Sequence, residues 1–303
     1  MFKLAHLSDP HLGPLPTVRW GDLAGKRALG YLNWVTGRKW IHQPEVLQRL
    51  MVDVKRQKTD HIAVTGDLIN IALAEEFAQA KDWLSSVGKP TQVTLVPGNH
   101  DAYVAMPGSE GLKEWAPYMR SNSTGAKFVS ARATEFPFVR RFGDVALIGL
   151  SSGVPTWPFM ASGRLGEAQL AALPGILDAL AEENIFRIVL IHHPPLPGQT
   201  GWRRALSDAG ALSDLLRRHG AELVLFGHNH AQSVDMFDSI AGPVPVVGVP
   251  SASCGRKNPW PLARYNCFSI SRRGKRWMCQ MVGRGLTQPG GKIEKIEHIW
   301  LKA

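Results

Sequence analysis

The chain is poor in cysteine and has no long apolar run, and each shortage excludes a class of protein. Its 303 residues include 3 cysteines, Cys254, Cys267 and Cys279. Their odd number and wide spacing predict packing roles, with neither a disulfide framework nor a thiolate zinc site. No segment approaches the roughly 20 apolar residues of a membrane span, and the amino-terminal MFKLAHLSDP lacks the apolar stretch of a secretion signal. We therefore expect a cytoplasmic protein.

Acidic residues are in the minority as well. The chain has 35 Lys and Arg against 25 Asp and Glu, which gives a net charge of +10 and an isoelectric point near 9.7. Such a charge attracts nucleic acid, anionic lipid or phosphorylated small molecules, and it does not choose between them. A hydrophobic fraction of 44% at this length is enough for one sizeable domain or two smaller ones.

Strand and helix patterns alternate along the chain. Predicted strands are KLAHLSD, HIAVTGD, TQVTLVPGNHD, VALIGLSS, FRIVLIHHPP and AELVLFGHNH. Predicted helices are EVLQRLMVDVKRQ, AEEFAQAKDWLSSVG, GEAQLAALPGILDALAEE and SDAGALSDLLRRHG. Near the carboxy terminus VPVVGVPSAS, ARYNCFSIS and RWMCQMVG predict further strands, the last two joined as a hairpin through RRGK. The alternation predicts βαβ units in a single α/β sandwich.

Polar side chains follow five of the predicted strands at the point where each strand ends. In chain order they are Asp9 and His11, then Asp67, then Asn99 and His100, then His192 and His193, then His228 and His230. Ligands of open α/β sheets bind at the carboxyl ends of the strands. A single histidine is more often structural, but the joint set of carboxylate, imidazole and amide groups suits Mn, Fe or Zn.

These segments resemble the sequence pattern of the calcineurin-like metallophosphoesterases. The family pattern D-x-H, G-D, G-N-H-D or G-N-H-E, a histidine and G-H-x-H corresponds here to DPH, GD, GNHD, HHPP and GHNH, between residues 9 and 230. The resemblance implies a four-layer αββα sandwich formed as one domain by residues 1–303. It also implies a centre of two divalent or trivalent metal ions, with a glycine-permitted turn at GNHD.

The resemblance assigns a role to each residue of the site. Asp67 would bridge two sets of three metal ligands, which are Asp9, His11 and His230 for one ion and Asn99, His192 and His228 for the other.

Three neighbouring choices complete this assignment. His192 is preferred over His193 because the family's ligand lies two residues before the proline. His100 would donate a proton to the departing alkoxide or steer the phosphate. Asp101 would orient His100, and a turn or helix-capping carboxylate is an equally good interpretation of it.

The implied activity is hydrolysis of a phosphorylated small molecule by a hydroxide that bridges the two metals. A phosphodiester is preferred because the intact GNHD resembles the small bacterial phosphodiesterases of this superfamily. The alternative is a membrane-associated pyrophosphatase or phospholipid-type hydrolase with a substrate similar to UDP-diacylglucosamine. A protein-binding scaffold without activity is disfavoured because every ligand position is present.

A segment at about 13–44 is much longer than a usual βα loop of about 2 to 6 residues. Apolar residues at helical spacing are accompanied in it by Lys26, Arg27, Arg38 and Lys39 and by Trp20, Trp34 and Trp40. Three interpretations are open: a lid over the substrate, a cap packed on the core, and an interfacial helix that holds the protein at the inner membrane face.

Two further features bear on partners. A strand-rich extension is predicted at about 243–303, and nothing in it fixes an oligomeric state.

The basic clusters GWRRALSD, RRHG, SRRGKRW and GRKNPW are scattered along the chain and do not form one stripe. Nucleic-acid binding is therefore disfavoured relative to solvated surface charge.

Overall fold

The structure is a computed structural model that describes residues 1–105, 111–130, 135–256 and 261–302. The KNPW part of the basic cluster GRKNPW lies outside these residues. The strands are β1 Phe2–Leu7, β2 His61–Val64, β3 Val93–Leu95, β4 Phe138–Phe142, β5 Val145–Gly149, β6 Phe186–Leu190, β7 Leu223–Phe226, β8 Ser233–Ser239, β9 Gly242–Gly248, β10 Arg264–Arg273, β11 Arg276–Leu286 and β12 Ile293–Lys302.

The longer helices lie where the sequence periodicity predicts them. The α-helices are α1 Lys26–Asn33, α2 Lys39–Ile41, α3 Pro44–Arg56, α4 Ala74–Val87, α5 Glu167–Glu182 and α6 Ala209–His219. A π-helical turn, Trp34–Arg38, joins α1 to α2, and short 3-10 helices span Trp20–Leu23, Gly111–Tyr118 and Ala126–Phe128. Pro44 begins α3, where its missing N–H costs no helical hydrogen bond.

Two mixed sheets of six strands carry the fold. The first has the order β12-β11-β10-β1-β2-β3, and the second has the order β4-β5-β6-β7-β9-β8. Strands β1, β2 and β3 run parallel, as do β5, β6, β7 and β9. The predicted carboxy-terminal strands complete both sheets: β9 lies beside β7, and β10 lies antiparallel beside β1. The predicted hairpin joins β10 to β11 around Gly274, which has a φ of 60°.

Alternating side chains of the second sheet separate two apolar cores. Leu147, Ile188 and Leu225 point towards the first sheet and join the core that also contains Leu50 of α3 and Phe77 of α4. Their neighbours Ile148, Val189 and Val224 point the other way, onto the apolar faces of α5 and α6. The layers are thus helices, sheet, sheet and helices, and the predicted αββα sandwich is confirmed.

None of the helices in the described parts of the chain is both long enough and apolar enough to cross a membrane.

A buried ion pair between neighbouring strands of the second sheet provides a test of this packing. Arg187 on β6 donates from Nε and Nη2 to the two carboxylate oxygens of Glu222, both at 2.9 Å. We expect Glu222→Gln to lower the free energy of unfolding by about 3 to 5 kcal/mol, because a buried guanidinium loses its counter-charge. Urea unfolding measures the change.

The matched control is Glu114→Gln, which breaks the exposed pair between Lys81 and Glu114, whose charged atoms are 3.9 Å apart. It should cost at most about 1 kcal/mol. Equal losses in the two variants would contradict a buried role for the pair of Arg187 and Glu222.

Candidate metal centre

The polar residues predicted from the sequence follow the carboxyl ends of parallel strands in both sheets. The strands and their residues are β1 with Asp9 and His11, β2 with Asp67, β3 with Asn99 and His100, β6 with His192 and His193, and β7 with His228 and His230. The first three strands belong to one sheet and the last two to the other. The candidate site therefore lies where the two sheets meet.

One group of side chains surrounds Asp9. Oxygen and nitrogen atoms of Asp9, His11 and Asp67 lie within 4.8 Å of one another. His230 joins them, since its Nε2 is 3.1 Å from Asp9 Oδ1 and 3.3 Å from His11 Nε2. These four residues come from three separate loops, so the fold is what assembles them.

A second group shares Asp67 with the first. Donor atoms of Asp67, His192 and His228 also lie within 4.8 Å of one another. His192 Nε2 is 3.4 Å from Asp67 Oδ2 and 3.2 Å from Asn99 Oδ1. The structure thus brings all seven predicted ligand residues together, in two groups that have Asp67 in common.

The donor chemistry of these groups fits divalent or trivalent metal ions. The Nε2 atom of His228 is buried and has no hydrogen-bond partner, although a buried polar atom in a native protein nearly always has one. A bound cation would be that partner. Imidazole nitrogens and carboxylate or amide oxygens without thiolates suit Mn, Fe and Zn.

The backbone of the site is held in conformations that side chains disfavour. Five of the predicted ligands have a left-handed backbone, with φ values of 52° at Asp9, 39° at His11, 54° at Asp67, 63° at His228 and 50° at His230. Positive φ is uncommon outside glycine, and each such residue costs of order 1 to 3 kcal/mol. Strain concentrated in this way is typical of a functional site.

Two motif glycines allow the loops to approach each other. A Cβ atom on Gly98 would lie 2.2 Å from Asp67 Oδ1, and one on Gly227 would lie 1.9 Å from Ser8 Oγ. Neither position has room for a side chain. The glycines of GNHD and GHNH are therefore explained by close packing between loops.

Hydrogen bonds distinguish the two adjacent histidines after β6. His192 Nδ1 donates to the Thr65 carbonyl at 2.6 Å, which leaves Nε2 facing Asp67. Burial opposes protonation there, but the Asp67 carboxylate raises the pKa of His192 to about 9. His193 uses both nitrogens elsewhere, at 2.8 Å from Ser152 Oγ and 3.1 Å from the Ala161 carbonyl. This geometry favours His192 as the ligand of the pair.

His100 lies at the edge of the two groups with one ring nitrogen fixed. Its Nδ1 donates to the Asn70 carbonyl at 2.5 Å, so Nε2 accepts a hydrogen bond from Arg38 Nη1 at 2.9 Å. Burial and the Arg38 charge lower the pKa of His100 to about 3. The imidazole is neutral in this arrangement.

The hydrogen bonds of Asp101 match the interpretation of it as a turn carboxylate better than an orienting role towards His100. Its carboxylate accepts hydrogen bonds from four backbone amides at 2.8 to 3.3 Å, those of Gly98, Asp67, Leu68 and Ile69. Burial and the Asp67 charge raise the pKa of Asp101 to about 7. The four donors favour the ionised form, because a carboxyl proton would face an N–H group. Asp101 ties the Asp67 loop to the GNHD turn.

Sequence reasoning missed two residues of the long segment that enter the site. Arg38 Nη2 is 2.9 Å from His11 Nε2. A donor atom of His42 lies within 4.8 Å of donor atoms of His11 and His230, and its Nδ1 is 2.9 Å from Ser253 Oγ. Arg38 and His42 are four residues apart, which is the spacing of side chains on one face of a helix. This spacing could have indicated that both side chains enter the site.

A cavity of about 310 Å³ opens over the two groups. Its lining combines predicted site residues with residues of two other segments and comprises Arg38, Ile41, His42, Asp67, Asn99, His100, Ala161, Arg204, His228 and His230. Arg204 donates to the His228 carbonyl at 2.7 Å. Two guanidinium groups therefore lie in the wall of a cavity that has room for a small anion.

The sequence profile of the family described as calcineurin-like phosphoesterase matches residues 2–232. The chain belongs to this family, whose members use a dinuclear metal centre. The protein is accordingly a metal-dependent phosphoester hydrolase by family.

A curated relative and two solved structures resemble the whole chain. The glycerophosphodiester phosphodiesterase GpdQ of Enterobacter lignolyticus (strain SCF1) is 26% identical over 303 residues, covering 98% of this chain and 95% of the relative. A dimetal phosphatase from Danio rerio has a TM-score of 0.61 at 13% identity, covering 99% and 98% of the two chains. The purple acid phosphatase PPD1 from yellow lupin seeds has a TM-score of 0.62 at 11% identity, and 53% of that chain is covered. The two structures show a shared fold.

The contacts of Asp101 predict an effect on metal binding. We expect Asp101→Asn to weaken binding of Mn²⁺ or Zn²⁺ by about 10- to 100-fold, because the Asp67 loop loses one acceptor oxygen that holds it. Titration calorimetry on the metal-free protein measures the affinity. Asp214→Asn, at an exposed position on α6, serves as the control. A folded Asp101→Asn protein that binds metal as tightly as the control would contradict the positioning role.

Proposed function

We propose that this chain is a phosphodiesterase with a dinuclear metal site. The observation that carries the proposal is the pair of donor groups that share Asp67. Similarity to a glycerophosphodiester phosphodiesterase over 98% of the chain supports a diester as the substrate. A phosphorylated small molecule in the cytoplasm is the substrate we predict.

Asp9, His11 and His230 would hold one ion, and Asn99, His192 and His228 the other, with Asp67 between them. Ions of Mn, Fe or Zn, when bound, acidify water and neutralise negative charge on a phosphoryl group. The side chains of the protein would do the rest: they would orient the ester and protonate the leaving oxygen.

Arg38 and Arg204 are the groups in the cavity wall that would bind phosphoryl oxygens. A planar guanidinium suits this task because it can donate two parallel hydrogen bonds. When Arg38 turns from the His100 ring to the phosphoryl group, His100 Nε2 becomes free to face the leaving oxygen. His100 Nε2 would then take up a proton from solvent and donate it to that oxygen, while Nδ1–H keeps its hydrogen bond to the Asn70 carbonyl.

A pair of aryl substrates tests the choice of diester. The Mn-reconstituted protein should hydrolyse bis(p-nitrophenyl) phosphate at least about tenfold faster than p-nitrophenyl phosphate, a difference of about 1.4 kcal/mol in transition-state binding. Release of p-nitrophenolate measures both rates, and Asp67→Ala should abolish both. A preference for the monoester would overturn the diester assignment.

The role of His100 predicts a dependence on the leaving group. We expect His100→Ala to keep its metal content and to lose about 100- to 10,000-fold in kcat with an alkoxide leaving group, as in glycerophosphoethanolamine. The loss should be much smaller with p-nitrophenolate, which departs without a proton. Metal analysis and the two rates are the measurements.

Arg38→Ala is the comparison variant. Because Arg38 would bind the phosphoryl group itself, its loss should raise KM for both substrates alike. If His100→Ala retains the full rate with the alkoxide substrate, His100 is not the proton donor.

A groove beside His11 favours the second candidate, a phospholipid-type or pyrophosphate substrate. The groove has a volume of about 510 Å³ and lies between α3 and α4, with walls that include Leu12, Leu47, Met51 and Trp83. An acyl chain would find an apolar surface there. Under this candidate a long-chain phosphodiester should have a lower KM than its short-chain analogue, and equal KM values would remove it.

A further inference from the structure

Four large aromatic side chains that are close in sequence to cavity-lining residues are exposed. The exposed fraction is 58% for Trp40, 85% for Trp157, 79% for Phe159 and 72% for Trp202. Each lies one to four residues along the chain from a cavity-lining residue, namely Ile41, Ala161 or Arg204. Single exposed apolar residues are common, but a group around a functional opening indicates an interaction surface.

The segment around Trp157 and Phe159 is hydrogen-bonded to the start of α1 and to the segment around Trp202. Lys26 Nζ, at the start of α1, donates to Thr156 Oγ1 at 2.6 Å and to the Met160 carbonyl at 3.0 Å. The Ala161 amide donates to the Arg203 carbonyl at 2.9 Å. Each of the segments 34–42, 152–164 and 197–207 contributes residues to the cavity lining, and we call the three together the aromatic rim.

The most exposed pair of the rim is presented by a strained turn. The Met160 amide donates to the Trp157 carbonyl at 3.1 Å, with Pro158 and Phe159 at the tip. Phe159 has a φ of 64°, where a type II turn favours glycine. A bulky residue in this conformation is an outlier, and such strain is typical of functional segments.

The charge of the rim is of one sign. Segments 34–42, 152–164 and 197–207 contain five Arg or Lys residues and no Asp or Glu. Lys39 Nζ lies 4.9 Å from the centre of the Trp40 ring, and the Arg203 guanidinium lies 5.1 Å from that of Trp202. Exposed Trp and Phe among basic side chains match an anionic lipid surface, where aromatic rings enter the interface and cations meet the headgroups.

We propose that the aromatic rim binds anionic membrane and holds the cavity mouth against the lipid surface. Trp40 of the long segment takes part in this contact, whereas Trp34 of the same segment is buried. Single-stranded nucleic acid fits the rim less well. It needs aromatic faces along a groove for base stacking, and here cations already cover a face of Trp40 and of Trp202.

Vesicle flotation tests the rim without depending on turnover, so this proposal can fail separately from the proposed function. The full chain is mixed at low salt with vesicles of phosphatidylglycerol and phosphatidylcholine, or of phosphatidylcholine alone. We expect it to float with the anionic vesicles and to do so much less with the neutral ones. The triple variant Trp157→Ser, Phe159→Ser, Trp202→Ser should show at least about tenfold weaker binding to the anionic vesicles.

Trp300→Ser is the matched control, because Trp300 on β12 is 56% exposed and lies on the edge strand of the first sheet. It should bind vesicles as the parent does. Both variants should keep the circular dichroism spectrum and the urea unfolding midpoint of the parent, which shows that they fold.

Three outcomes would overturn the proposal. One is failure of the parent protein to float with anionic vesicles at low salt, and another is equal binding by the triple variant and the parent. The third is tight binding of a single-stranded oligonucleotide, with a steep dependence on salt, that the triple variant loses while vesicle binding is unchanged.

Discussion

The burial of one carboxylate governs the arrangement of this protein. Asp67 is 2% exposed, and its oxygens meet groups from both sheets: the His100 amide at 2.7 Å, His192 Nε2 at 3.4 Å and His11 Nε2 at 3.9 Å. A buried charge needs partners that are held in place. Strained backbone, closely packed motif glycines and the hydrogen bonds of Asp101 hold those partners around the Asp67 carboxylate. The conformation of these loops therefore depends on this side chain.

Much of the site could be predicted because its residues follow the carboxyl ends of predicted strands. Each motif directly follows an apolar strand, and parallel strands of one sheet have their carboxyl ends at one edge, so strand prediction places Asp9 and Asp67 together. His192 follows a strand of the second sheet and joins them where the two sheets meet. The roles of individual atoms were harder to predict. Asp101 is next to His100 in the chain but points to the amides of another loop, since the tight turn sends the two side chains in different directions.

The long segment at about 13–44 and the edge strand β12 could not be predicted in detail from the sequence. Helical spacing indicated α1, but the direction of Arg38 depends on the π-helical turn that rotates the chain before α2. Strand β12 was not predicted, because apolar residues at Ile293, Ile296 and Ile299 have a spacing of three, which is untypical of a strand. The register of β12 shifts between its partners Gly283 and Arg284 of β11, so Ile296 falls outside the pairing and is 43% exposed.

The first sheet joins distant parts of the chain, and this sets an order of events during synthesis. Strand β1 carries the earliest site residues, yet one of its two neighbours is β10, more than 250 residues later. The His42 side chain likewise rests on Ser253, and the Gln43 amide donates to the Ser253 carbonyl. While the ribosome still holds the carboxy-terminal third, the first ligand loop has a neighbour on one side alone. The site can reach its final form only after nearly the whole chain has emerged.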